Sequence, residues 1–118
     1  NELFVHNAQD AFPEVEITNA GHFSASTDMG DVSHLMPAIH PFIGGVDGLL
    51  HGPDFKVVDF HAAALLPGKA FAGMVIDLLS DDAKEARKIL KDFKPALTKE
   101  QYIAKLDSYF SEEEPDHD

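Results

Sequence analysis

Apolar residues recur at helical intervals at both ends of the chain and at shorter, irregular intervals between them. Leu3, Phe4, Ala8 and Ala11 can share one side of a short opening helix, which Pro13 then ends because proline lacks the N–H a continuing helix needs. Glu14-Val15-Glu16-Ile17-Thr18 alternates polar and apolar, the pattern of a half-buried strand, and Asn19-Ala20-Gly21 is turn chemistry. From Phe23 to Ser33 the residues are small, polar and glycine-containing. They predict a loop running into a short helical turn, with Thr27 or Asp28 as N-cap. Leu35 to Ile43 is nearly all apolar apart from His40. Its length suits a buried strand, although Pro37 and Pro41 remove ladder donors and disfavour a fully paired position. Gly44, Gly45, Gly48 and Gly52 then mark a flexible or tightly turned stretch around His51,.

Beyond Pro67, a favoured first residue of a helix, Ala70, Phe71, Met74, Val75, Leu78 and Leu79 repeat at helical spacing. Ser80-Asp81-Asp82 predicts the cap of a second helix carrying Ala86, Ile89, Leu90 and Phe93, which Lys94-Pro95 breaks,. Thr98 with Gln101 predicts a capping box and opens a third helix whose apolar stripe is Tyr102, Ile103, Leu106, Tyr109 and Phe110. No internal repeat is visible. The element order is helix, strand, loop, strand, loop, then three helices. So few strands under so many helices predict an α/β fold. In it the chain supplies a few strands followed by three helices, part of a layer whose other strands lie elsewhere. Residues 1–110 are expected to form that portion, and residues 111–118 a disordered acidic tail.

Composition narrows the function. The 118 residues are 44% hydrophobic and 25% charged, ordinary for a folded domain,. The net charge is −12, from 21 acids against 9 bases. That balance disfavours a nucleic-acid partner, which requires a basic footprint. No unbroken apolar run reaches the length of a membrane span, and no leader-like segment opens the chain, so the expectation is a cytoplasmic protein without a membrane partner. Asn1 in place of an initiating Met adds weakly to the expectation of a piece of a longer protein. With no cysteine, thiolate metal sites are impossible, and seven histidines direct attention to metal or acid–base chemistry,.

Two clusters stand out. Ser26-Thr27-Asp28-Met29-Gly30-Asp31 is either a plain loop and helix cap or a grip for a substrate carboxylate, built from helix-start N–H groups and the Thr27 hydroxyl. Leu50-His51-Gly52-Pro53-Asp54-Phe55 places a histidine among glycines. A turning loop would bring Asp54 back to orient its imidazole. His51 is either exposed and structural or a metal ligand, and no second histidine lies at a local chelating spacing. His34 and His40 read as structural or pocket-lining. His6, His22, His61 and His117 show no supporting pattern.

Three blocks in order, Ser26 to Ser33, Met36 to Pro41, and the glycine-rich approach to His51-Gly52, together resemble the C-terminal segment of M20-family amidohydrolases and peptidases. The branch most resembled is that of aminobenzoyl-glutamate hydrolases and N-acyl amino acid amidohydrolases, from about Phe12 to about Phe110. The resemblance implies the returning C-terminal part of a Zn-peptidase-like α/β catalytic domain, interrupted by a lid and dimerisation domain. It further implies two divalent metal ions, zinc or sometimes manganese or cobalt, and a Glu general base. The last histidine ligand maps onto His51, and Ser26, Thr27 and Asp28 map onto the substrate wall. Ala25 stands where a glycine usually precedes the motif. The other ligands and the Glu base belong to the N-terminal half, so this chain alone is expected to be inactive. Its partners are then a small amide or peptide substrate, the rest of its own polypeptide and, in the full-length protein, a second subunit. The rival expectation is a stand-alone, non-enzymatic interaction module.

Overall fold

Helix α1 (Glu2–Ala11) forms over the predicted opening segment and buries Phe4 and Ala8. Its partner is α3 (Leu66–Asp92), and this pair is the most extensive helix contact in the chain. The computed structural model describes residues 1–18, 21 and 26–110. Between the two helices lie α2 (Asp28–Leu35) and an antiparallel ladder of β1 (Val46–Asp47) with β2 (Lys56–Val57), and α4 (Lys99–Asp107) follows α3.

Among the described residues, the buried core is Phe4, Ala8, Phe12, Leu66 and Ala70, all on or beside the α1–α3 seam. The Phe4 and Phe71 rings meet at 5.0 Å. Phe12 takes the edge of His61 at 4.9 Å and the Lys69 ammonium 4.9 Å from its ring centre, a cation–π contact. Asn7 pins the seam with two bonds from Nδ2, to the Leu3 carbonyl at 2.9 Å and the Asp77 carboxylate at 2.7 Å. Gly73 lies opposite, and a Cβ there would run into the Asn7 side chain. The close helix approach therefore depends on glycine at this position.

The helical stretch begins earlier than Pro67. The Asp59 carboxylate accepts the His61 and Ala62 N–H groups at 2.8 and 3.1 Å, and a π-helical turn spans His61–Leu65. Such a widened turn lets the chain pass a proline that carries no N–H and whose ring crowds the preceding turn. The break predicted at Ser80 is present as a kink within α3. Ser80 leaves helical geometry, and Asp81, Asp82 and Ala83 have φ of 49°, 57° and 55°. The predicted capping box at Thr98 is also present: Gln101 N–H donates to Thr98 Oγ1 at 3.2 Å and Thr98 N–H to Gln101 Oε1 at 2.9 Å.

The α/β expectation is overturned. Among the described residues the structure is mostly helical, with four α-helices and a two-stranded ladder of two residues per strand. Glu14–Thr18 is not a strand, yet its alternation is kept. Val15 and Ile17 lean on the core while Glu14, Glu16 and Thr18 are exposed. Leu35 closes α2, and residues 36–43 run without a ladder, with Ile39 and Ile43 against the same core. A strand requires a neighbour to receive its N–H and C=O groups, and among the described residues no segment pairs with either stretch in a ladder. The tail expected beyond Phe110 lies outside the described residues, as do Asn19 and Ala20 of the predicted turn.

One reading of the apolar pattern also changes. The continuous helical stretch His61–Asp92 is long and apolar enough to cross a membrane by length and composition, with a mean hydropathy of 1.5 in its best window. Lys69 and Asp77 sit inside its straight part, each costing about 2.5–3.5 kcal/mol at the centre of a bilayer. Both are engaged here, Lys69 on Phe12 and Asp77 on Asn7.

Much apolar surface is left uncovered. Phe71, Val75, Ile76 and Leu79 form an exposed stripe on α3, with Ile76 and Leu79 65% and 66% exposed. Leu49 and Phe60 are each 74% exposed. The radius of gyration is 19.3 Å, where a compact chain of this length measures about 13.5 Å. Two outcomes are expected. In solution the 118-residue chain self-associates at micromolar concentration and binds hydrophobic dyes, read by sedimentation and dye fluorescence; a cooperative, dye-silent 12.9 kDa monomer is the contrary result. In denaturant titrations, Gly73→Ala destabilises by about 1–3 kcal/mol, because the pinned Asn7 bonds must break. Gly68→Ala, which meets nothing within 4 Å, instead gains up to about 1 kcal/mol of helix propensity.

Candidate functional site

The Ser26-Thr27-Asp28 block sits at the start of α2, where Thr27 is the N-cap with extended backbone. Its Oγ1 accepts the Met29 N–H at 3.3 Å. That leaves the hydroxyl proton available, so capping and a donor role toward an anion are compatible. Thr27, Met29, Gly30 and Ser33 line one side of a cavity of about 220 Å³, and Ala38, Ile39 and His40 line the other. The two blocks that carry the family resemblance on this side of the chain therefore face each other. His40 stacks on Phe42 with ring centres 5.4 Å apart, which agrees with a pocket-lining part.

Other side chains support α2 from within and behind. Ser33 Oγ donates to the Gly30 carbonyl at 2.7 Å, and His34 Nδ1 contacts the same oxygen at 2.6 Å, so His34 serves the helix. The Leu97 N–H reaches the His34 carbonyl at 3.4 Å, and the Tyr102 phenol of α4 lies near Asp31. Partial burial of the ring first, then the approach and charge of Asp31, hold the Tyr102 phenol above its ordinary value. The sequence pattern assigned Tyr102 only to an apolar stripe; its approach to Asp31, far away in the chain, is announced by nothing local.

His51 lies apart from this cavity, in the turn joining β1 to β2. Its φ is 65°, the left-handed region that only glycine enters without cost. The turn is tight. A Cβ at Gly45 would fall 2.5 Å from the Asp59 carbonyl, and one at Gly48 2.5 Å from the Asp54 carbonyl. The Gly45 carbonyl accepts the Val58 and Asp59 N–H groups at 2.9 and 3.1 Å. The hairpin is thereby tied to the residue that caps the helical stretch. Val46 pairs with Val57 and Asp47 with Lys56, whose side chains also meet at 3.9 Å. Asp54 does not serve the imidazole. Its Oδ1 accepts the Leu49 N–H at 3.4 Å and thus braces the turn.

Among the described residues, no three His, Asp or Glu side chains converge as a metal-binding group. His51 fits a metal only as one exposed donor, since a zinc site takes three or four protein ligands. Of the other histidines, His6 pairs with Asp10 along α1 at 3.4 Å and His61 packs on Phe12. His22, His117 and Ala25 lie outside the described residues. A larger apolar groove of about 580 Å³ opens between α1, α2 and α3, lined by Leu3, Met36, Met74, Leu78, Ile89 and Phe93 among others. Compared with known proteins, the chain matches no family model, no curated protein and no solved structure.

An exposed histidine in a strained backbone position does not add to stability. His51→Gly is expected to raise the stability of the chain by about 0.5–1 kcal/mol, the left-handed penalty relieved less the added freedom of the unfolded chain. A denaturation midpoint that falls instead would show that the imidazole holds the turn together.

Proposed function

We propose that this chain supplies the last histidine ligand and one substrate wall of a metal-dependent hydrolase. Its reaction is cleavage of the amide bond in an N-acyl amino acid or peptide-like substrate. The observation that carries the reading is His51. Its imidazole is exposed, its ring makes no hydrogen bond or ion pair among the described residues, and its backbone is held in a strained conformation by a hairpin that glycines keep tight. Strain of this kind persists where the surrounding structure over-determines it, and it concentrates at functional sites. The resemblance of the three sequence blocks supplies the reaction class.

Two divalent ions, zinc or alternatively manganese or cobalt, would provide Lewis acidity and an activated water in such an enzyme. His51 would give one of them a neutral imidazole nitrogen. The remaining ligands and the Glu base come from residues beyond this chain, and alone it is inactive. Thr27 would donate its hydroxyl proton to a substrate carboxylate, with the N–H groups and dipole at the start of α2 favouring the same negative charge. Ser26 and Asp28 flank Thr27 and shape that wall. The uncovered surface of α3 supports cover by the rest of the same polypeptide over the rival reading of a stand-alone interaction module. A cytoplasmic homodimer acting on small amides, with no nucleic-acid or membrane partner, completes the proposal.

In the full-length protein, His51→Ala should lower bound metal and cut turnover by at least about a hundredfold, the scale on which losing a ligand acts. Thr27→Val should leave metal content intact and raise KM severalfold. The 118-residue chain should bind zinc no tighter than micromolar in competition with a chromogenic chelator. Unchanged metal and turnover in His51→Ala, or stoichiometric tight zinc on the short chain lost in that variant, would overturn the assignment.

A further inference from the structure

A helix kink ordinarily has a local cause, such as a proline, a glycine or a widened turn. The bend in α3 has none of these, since residues 74–94 contain neither proline nor glycine. It is made by Asp81, Asp82 and Ala83 standing in the left-handed region, at φ of 49°, 57° and 55°. Aspartate tolerates that region better than most residues, and alanine gains nothing from it. A right-handed helix is open to the same residues without that cost. The bent form therefore needs contacts that a straight helix lacks. One is an ion pair: Arg87 Nη2 meets Asp82 Oδ1 at 2.8 Å. Residues five apart in a continuous helix stand about 140° from each other around the axis, so this pair belongs to the bend. A second is the Leu97 N–H bond to the His34 carbonyl at 3.4 Å, just beyond the end of α3. Both are slight. The ion pair is exposed on both sides, and such pairs are weak.

We propose that residues 80–83 are a hinge. At it the second half of α3 passes between the folded-back form and a straight continuation of the helix, and the Arg87–Asp82 pair latches the folded form. The moving half is a lid. In the folded form Ile89 and Phe93 face Leu3, Met74 and Leu78 across the apolar groove of about 580 Å³. In a straight helix Ile89 would stand about 22 Å beyond Met74 along the axis, and the groove would lose that wall. The swing also releases Leu97 from His34 and carries α4 away from α2. The hinge stands apart from the hydrolase reading and does not depend on it.

The test reads the bend as a distance in the full-length protein, spin-labelled through Ala72→Cys and Leu90→Cys as its only cysteines. Both positions are exposed. On a straight helix the two labels share one face and lie about 27 Å apart, and the bend brings them closer. Pulsed dipolar spectroscopy should show two populations, one shorter and one at about 27 Å. Raising the salt to about 1 M, where the screening length is about 3 Å, should shift the ratio toward the longer distance by about two- to fivefold, the span of an exposed ion pair. Arg87→Gln should do the same at low salt and then respond no further to salt, whereas Arg87→Lys should keep the salt response. Asp81→Gly with Ala83→Gly relieves the left-handed cost without touching the pair, and should enrich the shorter distance by about tenfold. Asp81→Ala should act in the opposite direction. A single distance, short or long, that neither salt nor any of these variants moves overturns the hinge. Populations that answer to the glycines but not to salt or Arg87→Gln overturn the latch.

Discussion

The close contact of α1 with α3 is the constraint on which the described structure depends. It brings together residues from the first dozen positions and from the second half of the chain, so each helix provides the apolar face that the other lacks. Phe4, Ala8 and Phe12 from one side meet Leu66 and Ala70 from the other. Gly73 permits the approach and Asn7, bonded to Asp77, fixes its register. The intervening chain hangs on this seam. Val15, Ile17, Ile39 and Ile43 dock against it as partly buried additions, and the hairpin is tied to its edge through Gly45 and Asp59.

That hierarchy explains how the site elements come to be placed. Ile39 anchors the segment that forms one wall of the small cavity, and α2 forms the other wall, with α4 behind it. The hairpin, held at its base by the backbone of Gly45, presents His51 at the opposite end of its turn. Its rigidity comes from close backbone passages at Gly45 and Gly48 and owes little to burial, since both of its strands are exposed. A turn built this way aims a side chain without needing a core beneath it. This suits a residue whose partner atoms would come from elsewhere.

The same hierarchy leaves apolar surface exposed. A seam of five buried residues does not cover Val75, Ile76 and Leu79 of α3, and burial of apolar area is the main term that offsets chain entropy. The left-handed run from Asp81 to Ala83 adds strain at the point where α3 folds back,. An apolar outer face and a strained bend are both features that further packing would stabilise.

What the sequence by itself determined was local. The opening helix and its stop at Pro13, a cap at Thr27 or Asp28 for α2, the break at Ser80 and the capping box at Thr98 follow from chemistry acting within a few residues. The inward lean of Val15 and Ile17 was legible for the same reason. Tertiary structure decided whether that alternation and the apolar run from Leu35 to Ile43 became strands, and it decided against both. It also set Asn7 against Gly73 and gave Asp54 to Leu49 in place of His51. Each of these depends on which distant backbone or side chain arrives alongside. A ladder partner or a cross-chain hydrogen bond is a property of two segments at once, and the pattern of either one alone does not contain it.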